Sequence, residues 1–279
     1  MSRFRKESRE IPMKWIVFLF MLIPYMMSQA SAGLEGDLVL YLTFDNVKDN
    51  RILDASGNKL HAEVVANTIL VKGRYGDAIH IAAEPKGDDC VHIRDADALK
   101  IENEITMMAW VYNKDWNTNS GQWFDKGSQV LEIEKKSYGM GLFNDTGPFK
   151  GPNISMLLGG IQGVWSFTTS GPMVDKRWHH IAGTYDGKTA KIYLDGKIRS
   201  KVDAVFEFSG TNDLDLRIGC AKAHPQYTFK NGSIDQIGLW RRALTQAEIE
   251  KAMKSFLAVS PKDKISTTWG DMKRRMGAN

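Results

Sequence analysis

The feature that most restricts the fold of this chain is its series of short apolar-rich runs, separated by Gly, Asn, Asp or Pro. Several runs alternate apolar with polar residues, which is the two-residue period of a strand with one buried face. Early runs span residues 36–44, 58–65, 76–82, 90–93 and 104–112, and later ones read QVLEIEK, YGMGLFN, ISMLLGG and VWSFTTS. This spacing leaves no room for the crossover helices of a parallel sheet, so the sequence predicts an all-β sandwich or barrel.

Two Asp-Gly pairs, Asp186-Gly187 and Asp195-Gly196, divide residues 177–198 into three strand-like segments. Asp-Gly tolerates the positive φ angles of tight hairpin turns. We therefore expect three consecutive antiparallel strands in this part of the chain.

The C-terminal part contains one strong helix signal followed by a tail. In the segment LTQAEIEKAMKSFL, Thr245 is a favourable N-cap and Glu248, three residues later, completes a capping box. Residues 258–279 are basic and poor in apolar residues, so we predict a tail with little core of its own.

Residues 1–32 have the pattern of an export signal. A basic stretch ends at Lys14, a mostly apolar run of 13 residues follows from Trp15 to Met27, and the small residues Ala30-Ser31-Ala32 precede Gly33. An uncleaved anchor is the alternative, but the run is shorter than the roughly 18 residues usually needed to span a bilayer. We expect cleavage after Ala32, no stable membrane span afterwards, and a secreted protein that is extracellular or periplasmic.

Charge argues against nucleic-acid binding. The formal net charge is +4, and the predicted signal alone carries a surplus of three positive charges. The rest of the chain is nearly neutral and has no basic footprint for DNA or RNA. A chain of 279 residues with 43% hydrophobic residues can bury one large core, so one main domain is expected.

Several motifs together resemble a known family. The motifs LVLYLTFDN, DASGNKLHAEV, ITMMAWVY, RWHHIAGTYDGKTAKIYLDGK, LRIGC and NGSIDQIGLWRRALTQAEI occur in this order over residues 36–257. They are similar to those of laminin G-like, concanavalin A-like lectin/glucanase domains of secreted bacterial proteins. The resemblance implies a jelly-roll β-sandwich of two antiparallel sheets with one short C-terminal helix, covering residues 33–257. Such folds carry lectins, adhesion modules and glycoside hydrolases alike.

The adjacent histidines, His179 and His180, do not form one site, because neighbouring residues of a strand point to opposite faces. The resemblance implies that Trp178 packs in the core and that one of the two histidines is hydrogen-bonded inside. No Ser or Cys nucleophile motif accompanies them.

A pair of glutamates offers an enzymatic alternative. Glu132 and Glu134 in LEIEKK would face the same side of a strand, as the two carboxylates of a sandwich glycosidase do. Related hydrolases carry a third carboxylate further on, where this chain has Lys136 and Ser137. We therefore expect no catalysis, and a solvated charged edge is the alternative role of the pair.

Four polar residues are candidate ligands of a structural Ca²⁺ ion: Asp45, Asp54, Asn58 and Asp235. The resemblance implies that the first and last strands are neighbours, which would gather these oxygens at one rim of the sandwich. Hard oxygen ligands suit Ca²⁺. The alternative is that residues 54–58 form only an Asx-type turn and that Asp235 is a charge at a strand end.

Cys90 and Cys220 are the two cysteines of the chain. An even count in an oxidising compartment favours a disulfide bond. Two buried free thiols are the alternative, since the sequence does not show whether the two Cα atoms are close enough.

Trp116 and Trp123 stand in strongly polar sequence surroundings. Aromatic rings on loops can stack on sugar rings, so both are candidate ligand contacts, although sandwich cores also use aromatic residues. The sequence as a whole predicts a non-enzymatic recognition or adhesion module whose partner is a glycan or an extracellular protein. A glycoside hydrolase using Glu132 and Glu134, and a purely protein-binding surface module, are the alternatives.

Overall fold

The computed structural model describes residues 33–64, 68–82, 90–117, 121–127, 137–146, 149–160, 163–170, 173–221 and 225–255. The predicted signal, the pair Glu132 and Glu134 with Lys136, and the predicted tail lie outside these residues. The chain forms two compact units, residues 1–36 and 37–279. In the first, residues 33–36 are described, and the Gly36 N–H donates to the Gly33 carbonyl at 2.8 Å.

The second unit consists mostly of strands. In chain order they are β1 Leu38–Leu42, β2 Val47–Lys48, β3 Arg51–Ile52, β4 Ala62–Val64, β5 Thr68–Lys72, β6 Asp77–Ile81, β7 Val91–Ile93, β8 Ile101–Glu102, β9 Ile105–Asn113, β10 Gly121–Lys126, β11 Tyr138–Thr146, β12 Phe149–Gly160, β13 Gly163–Ser170, β14 Arg177–Tyr185, β15 Thr189–Leu194, β16 Lys197–Asp203, β17 Ser209–Gly210, β18 Leu216–Ile218 and β19 Gly232–Trp240. The helix α1, Gln246–Ser255, follows the last strand.

These strands form two large antiparallel sheets. The first sheet has the order β16-β15-β14-β9-β19-β6-β5, and β1 also pairs with β19. The second sheet has the order β13-β12-β11-β10-β18-β7-β4-β3-β2, while β8 and β17 form a separate short pair. The predicted all-β jelly-roll sandwich with one C-terminal helix is confirmed, and β1 and β19 are neighbours as expected.

The core lies between the inner faces of the two sheets. Met107 and Val111 of β9 are fully buried in it, as are Met140 of β11 and Met156 of β12. At Gly183 of β14 the sheets approach so closely that a Cβ atom would lie 2.9 Å from the Met156 sulfur. The absence of a side chain there lets the methionines of the second sheet reach the first.

Both predicted hairpins are present. β14 pairs with β15, and β15 with β16, through the two Asp-Gly turns. Asp195 and Gly196 have φ angles of 50° and 77°, the two positive angles of a type I′ turn. The register of these strands therefore follows from local turn chemistry.

The helix begins with the predicted capping box. The Thr245 N–H donates to Glu248 Oε2 at 2.8 Å, and the Glu248 N–H donates to Thr245 Oγ1 at 3.3 Å. The helix covers part of the outer face of the first sheet, where Trp110 Nε1 donates to the Met253 carbonyl at 3.3 Å. Among the described residues, no helix is long and apolar enough to cross a membrane.

Candidate functional site

The two tryptophans predicted to contact a ligand lie in the core. Trp116 and Trp123 are both completely buried and both pack against Phe229, with ring centroids 6.0 and 5.9 Å apart. Trp116 Nε1 also donates to the Val174 carbonyl at 3.0 Å. The prediction of ligand contact is wrong for both, because a ring without exposed surface cannot stack on a sugar.

The two cysteines form the disulfide bond that the even count favoured. Cys90 and Cys220 are joined with their Cα atoms 5.8 Å apart, and both residues are buried. The bond connects the chain just before β7 to the chain just after β18, two paired strands of the second sheet.

The segment around Asp54 and Asn58 forms the Asx-type turn that was the alternative to metal binding. Asp54 Oδ1 accepts hydrogen bonds from the Tyr41 and Ser56 N–H groups, and its Oδ2 accepts from the Leu60 N–H. The side-chain amide of Asn58 donates to the carbonyl of Val39 at 2.9 Å. Both side chains are therefore engaged in holding this turn against β1.

Asp45 and Asp235 are positioned differently, because both hold the turn between β5 and β6. Asp45 Oδ1 accepts the Asp77 N–H at 2.8 Å, and Asp235 Oδ2 accepts the Tyr75 N–H at 2.9 Å. The other carboxylate oxygen of Asp235, Oδ1, is buried and forms no hydrogen bond to a described residue. A buried carboxylate oxygen without a partner is costly unless a proton or a cation satisfies it.

The electrostatics of this pair agree with the geometry. Burial raises the pKa of Asp235, the backbone N–H groups of Tyr75 and Gln236 partly offset this, and the Asp45 carboxylate raises it again, so that the net pKa is about 7. Two acids near each other, one of them desolvated, form an arrangement that a divalent cation would stabilise. The carboxylates of Asp45 and Asp235 therefore fit as two of the oxygen ligands of a Ca²⁺ ion.

Two glycines that the sequence analysis missed shape the same place. A Cβ atom on Gly73 would lie 2.6 Å from Asp235 Oδ2, and one on Gly76 would lie 1.9 Å from Asp45 Oδ1. The signal was available as the run GRYG between two strand-like runs, since Gly in a turn often marks a close backbone approach.

The histidines point to opposite faces, as expected. His179 faces inward, where its Nε2 accepts the Val174 N–H at 2.8 Å and its Nδ1 therefore donates to Asp195 Oδ2 at 2.9 Å. His180 faces outward beneath the helix, and its ring meets Trp110 edge-on with centroids 5.4 Å apart. Burial lowers the pKa of His180 to about 3, so this ring is neutral near pH 7. Both histidines are part of the pairing between β14 and β9.

Trp178 is not in the core, which corrects the expectation taken from the resemblance. It lies half-buried on the outer face of β14, opposite Tyr112 of β9, with ring centroids 5.6 Å apart. The row continues across the sheet, because Tyr112 is opposite Ser233 of β19 and Ser233 is opposite His80 of β6. We call these four residues the outer row. Side chains along a strand alternate between its two faces. Val111, between Trp110 and Tyr112, points into the core, so Tyr112 and the outer row point away from it.

The polar half of the outer row is internally connected. His80 Nδ1 and Ser233 Oγ are 2.9 Å apart and share a hydrogen bond. Burial, followed by the charge of Lys114, lowers the pKa of His80, so the ring is neutral near pH 7. The outer row therefore combines two half-buried aromatic rings with neutral hydrogen-bonding groups.

The two antiparallel sheets define a concanavalin A-like sandwich protein. The profile described as "Concanavalin A-like lectin/glucanases superfamily" matches residues 85–250. The chain belongs to this family. No curated protein matches it significantly.

Solved structures with the same fold share little sequence with the chain. The binding domain of Paraclostridial Mosquitocidal Protein 1 matches with a TM-score of 0.60 and 18% identity, covering 81% of this chain and 53% of that one. Domain 4 of AbnA, an extracellular GH43 arabinanase from Geobacillus stearothermophilus solved with arabinotriose, matches with a TM-score of 0.59 and 18% identity, covering 77% and 98%. The ligand-binding domain of botulinum neurotoxin serotype D, solved with N-acetylneuraminic acid, matches with a TM-score of 0.58 and 15% identity, covering 80% and 52%. The chain spans about half the length of the toxin domains, and identities this low establish the fold alone.

Proposed function

We propose that this chain is an exported, non-catalytic recognition module that binds carbohydrate on the outer face of its first sheet. The observation that carries the proposal is the outer row, in which Trp178 and Tyr112 lie beside the hydrogen-bonded pair Ser233 and His80. Sugars present an apolar face of C–H groups and a rim of hydroxyls. An aromatic pair next to neutral donors and acceptors matches both features.

The dimensions of the outer row suit an oligosaccharide. Its residues lie on four neighbouring strands, and strands are spaced about 4.8 Å apart, so the row extends over roughly 14 Å. Ile69 of β5 follows His80 in the same register and is 55% exposed, which adds an apolar end to the row. Helix α1 covers the neighbouring Trp110, leaving the row at the border of the covered area.

The structural neighbours support recognition as the function by analogy of fold. The arabinanase domain was solved with arabinotriose, and the neurotoxin domain with N-acetylneuraminic acid. The neurotoxin domain is a ligand-binding domain, which favours a non-catalytic role for this chain as well. The buried disulfide supports an exported protein, because such bonds persist in oxidising compartments.

Calcium is part of the proposal as a structural ion. Asp45 and Asp235 would supply its carboxylate oxygens, and the unpartnered Oδ1 of Asp235 is the atom that most needs it. The ion would tie the end of β1 and the β19 strand to the β5–β6 turn. It would supply charge compensation, with no part in a reaction.

Two alternatives remain from the sequence. A hydrolase using Glu132 and Glu134 would release reducing ends from a polysaccharide panel, and Glu132→Gln would abolish that release. A protein-binding module is favoured by exposed apolar residues on the two edge strands of the first sheet, Ile69 and Leu70 on β5 and Ile198 and Val202 on β16. Such a module would bind a protein partner and would not bind glycans.

A glycan array probed with the purified full chain tests the proposal. We expect binding to a subset of neutral oligosaccharides that Trp178→Ala and Tyr112→Ala each weaken by about fivefold or more, taking the roughly 1–3 kcal/mol that an aromatic ring contributes when it stacks on a nucleobase. Val205→Ala, at a residue 81% exposed and away from the outer row, is the matched control and should bind normally. An array without any binding, or equal loss in all three variants, would reject the proposal.

A further inference from the structure

A cleft on the second sheet forms a second candidate site, separate from the outer row. It lies at the ends of β3, β4 and β7 and has a volume of about 380 Å³, within the range of roughly 300–1,000 Å³ typical of small-molecule sites. Its charged and polar lining consists of Arg51, Lys59, His61, Glu63, Arg94 and Asp95.

Both acids of the cleft are already neutralised by a cation. Glu63 Oε1 lies 3.1 Å from Arg94 Nη2. Asp95 Oδ1 accepts a hydrogen bond from Lys126 Nζ at 2.7 Å, and the Lys126 side chain is completely buried behind the cleft. Neither carboxylate is therefore a free anion in the cleft.

The remaining two cations have no partner of this kind. Within the described parts of the chain, the side chains of Arg51 and Lys59 form no ion pair and no hydrogen bond, and both residues are exposed. The cleft thus has two uncompensated positive charges.

The Asx-type turn places Lys59 and His61 at the cleft. Lys59 has a φ of 61°, and the following Leu60 N–H is fixed by Asp54 Oδ2 at 3.0 Å. The Asp54 N–H donates to His61 Nδ1 at 3.1 Å. Because Nδ1 is an acceptor there, the neutral His61 ring carries its proton on Nε2 and has a donor to offer. The turn therefore positions one ammonium and one imidazole N–H by its own hydrogen bonds.

We propose that this cleft binds the oxyanion of an acidic glycan, either a carboxylate or a sulfate group, through Arg51, Lys59 and His61. Guanidinium and ammonium groups form charge-assisted hydrogen bonds to such oxyanions, and Arg adds a planar two-donor fork. The two paired acids repel such a ligand less than free carboxylates would. The site lies on the opposite sheet from the outer row, so it goes beyond the proposed function and does not depend on it.

Titration of the purified full chain with defined oligosaccharides tests this site. The probes are an oligogalacturonate, which carries carboxylates, a sulfated galactan oligosaccharide, and an uncharged galactan oligosaccharide of equal length. We expect saturable binding of at least one acidic probe at low salt, with weaker binding as NaCl is raised. The acidic probe that binds identifies the oxyanion.

Four variants locate the binding. Arg51→Gln and Lys59→Gln should each weaken binding of the acidic probe about tenfold, as expected for loss of one charge-assisted contact. Lys201→Gln, at an exposed lysine of β16, removes an equal charge from the first sheet and should have no effect. Trp178→Ala should also leave it unchanged, which separates this site from the outer row.

The proposal is overturned if neither acidic probe binds, or if, in the Trp178→Ala variant, the uncharged probe binds as well as the acidic ones. It is also overturned if Lys201→Gln weakens binding as much as the two cleft variants. Thermal melts of each variant verify that the fold is intact, and Arg51→Lys, which keeps the charge, provides a second variant that should retain part of the affinity.

Discussion

The backbone of Gly73 lies directly against the carboxylate of Asp235, where a Cβ atom would be only 2.6 Å from Oδ2. Gly76, three residues later, stands in the same relation to Asp45. The β5–β6 turn is therefore held between the end of the first strand and the middle of the last one. A β-bulge between Asp235 and Gly238 interrupts the pairing of β19 with β9 at this point. Such bulges re-aim side chains, which is consistent with Asp235 reaching the turn.

Calcium should stabilise the fold through this pair. If the site has a dissociation constant of roughly 10⁻⁴ M, then 10 mM CaCl₂ is about one hundred times that constant. Calcium binding then adds about 2.7 kcal/mol to the free energy of unfolding. For a domain of this size the melting temperature should rise by roughly 5–10 °C relative to EDTA. Asp235→Asn should abolish the shift. Glu102→Gln, at an exposed residue of β8, is the control and should keep it. Equal midpoints of the unchanged chain in both buffers would contradict calcium binding.

Without divalent cations, Asp235 should make the fold less stable as the pH rises. Its pKa is about 7 in the folded state against 3.8 for an aspartate exposed to water, so between these values the folded state holds a proton that the unfolded state has lost. The contribution is complete below about pH 4 and is lost as the pH passes 7, with an upper limit of about 4 kcal/mol at 1.36 kcal/mol per pKa unit. Denaturant unfolding in EDTA at pH 5 and pH 8 measures the loss.

Asp235→Asn separates this contribution from other titrating groups, because the amide keeps an oxygen to accept the Tyr75 N–H but cannot ionise. The difference in stability between the unchanged chain and the variant should depend on pH in the window from 4 to 7. With calcium present the trend reverses, since the ion requires the ionised carboxylates. A pH-independent difference in EDTA would show that Asp235 ionises normally.

Local chemistry explains which parts of the fold could be predicted. The Asp195-Gly196 turn and the Thr245–Glu248 capping box each depend on residues within a few positions, so their sequence signals were sufficient. The outer row could not be found in this way. Its His80 and Ser233 are 153 positions apart and meet only because β6 pairs with β19 in one particular register.

The burial of Trp116 and Trp123 could not be read from their polar sequence surroundings. Trp123 sits on β10, whose side chains are all buried, including the polar Gln122 and the charged Asp125 and Lys126. The alternation of apolar and polar residues fails on such a strand, because buried polar groups are satisfied by distant partners. Lys126, for example, meets Asp95 and Asn212.

Removal of the disulfide should destabilise the fold substantially. Cys90 and Cys220 are 130 positions apart, and closing a loop of that length contributes roughly 4–5 kcal/mol in the chain-entropy model. The double variant Cys90→Ser, Cys220→Ser should therefore unfold at clearly lower denaturant concentration than the oxidised chain. Reducing agent should shift the unchanged chain toward the same midpoint and leave the variant unaffected. Identical midpoints for the oxidised chain and the variant would show that the bond adds no stability.

His180 should make the fold sensitive to acid. Burial lowers its pKa from 6.5 to about 3, so between these values the unfolded state binds a proton that the folded state excludes. Stability is therefore complete above about pH 6.5 and falls as the pH drops toward 3, by about 2 kcal/mol between pH 6.5 and pH 5. Asp235 acts in the opposite direction over part of this range, so the comparison requires a variant.

His180→Phe keeps a ring against Trp110 and removes two buried nitrogens that have no partner among the described residues. It should be as stable as the unchanged chain at pH 7 or slightly more stable, and should lose less stability at pH 5. Denaturant midpoints that fall in parallel for both proteins would assign the acid sensitivity to other groups.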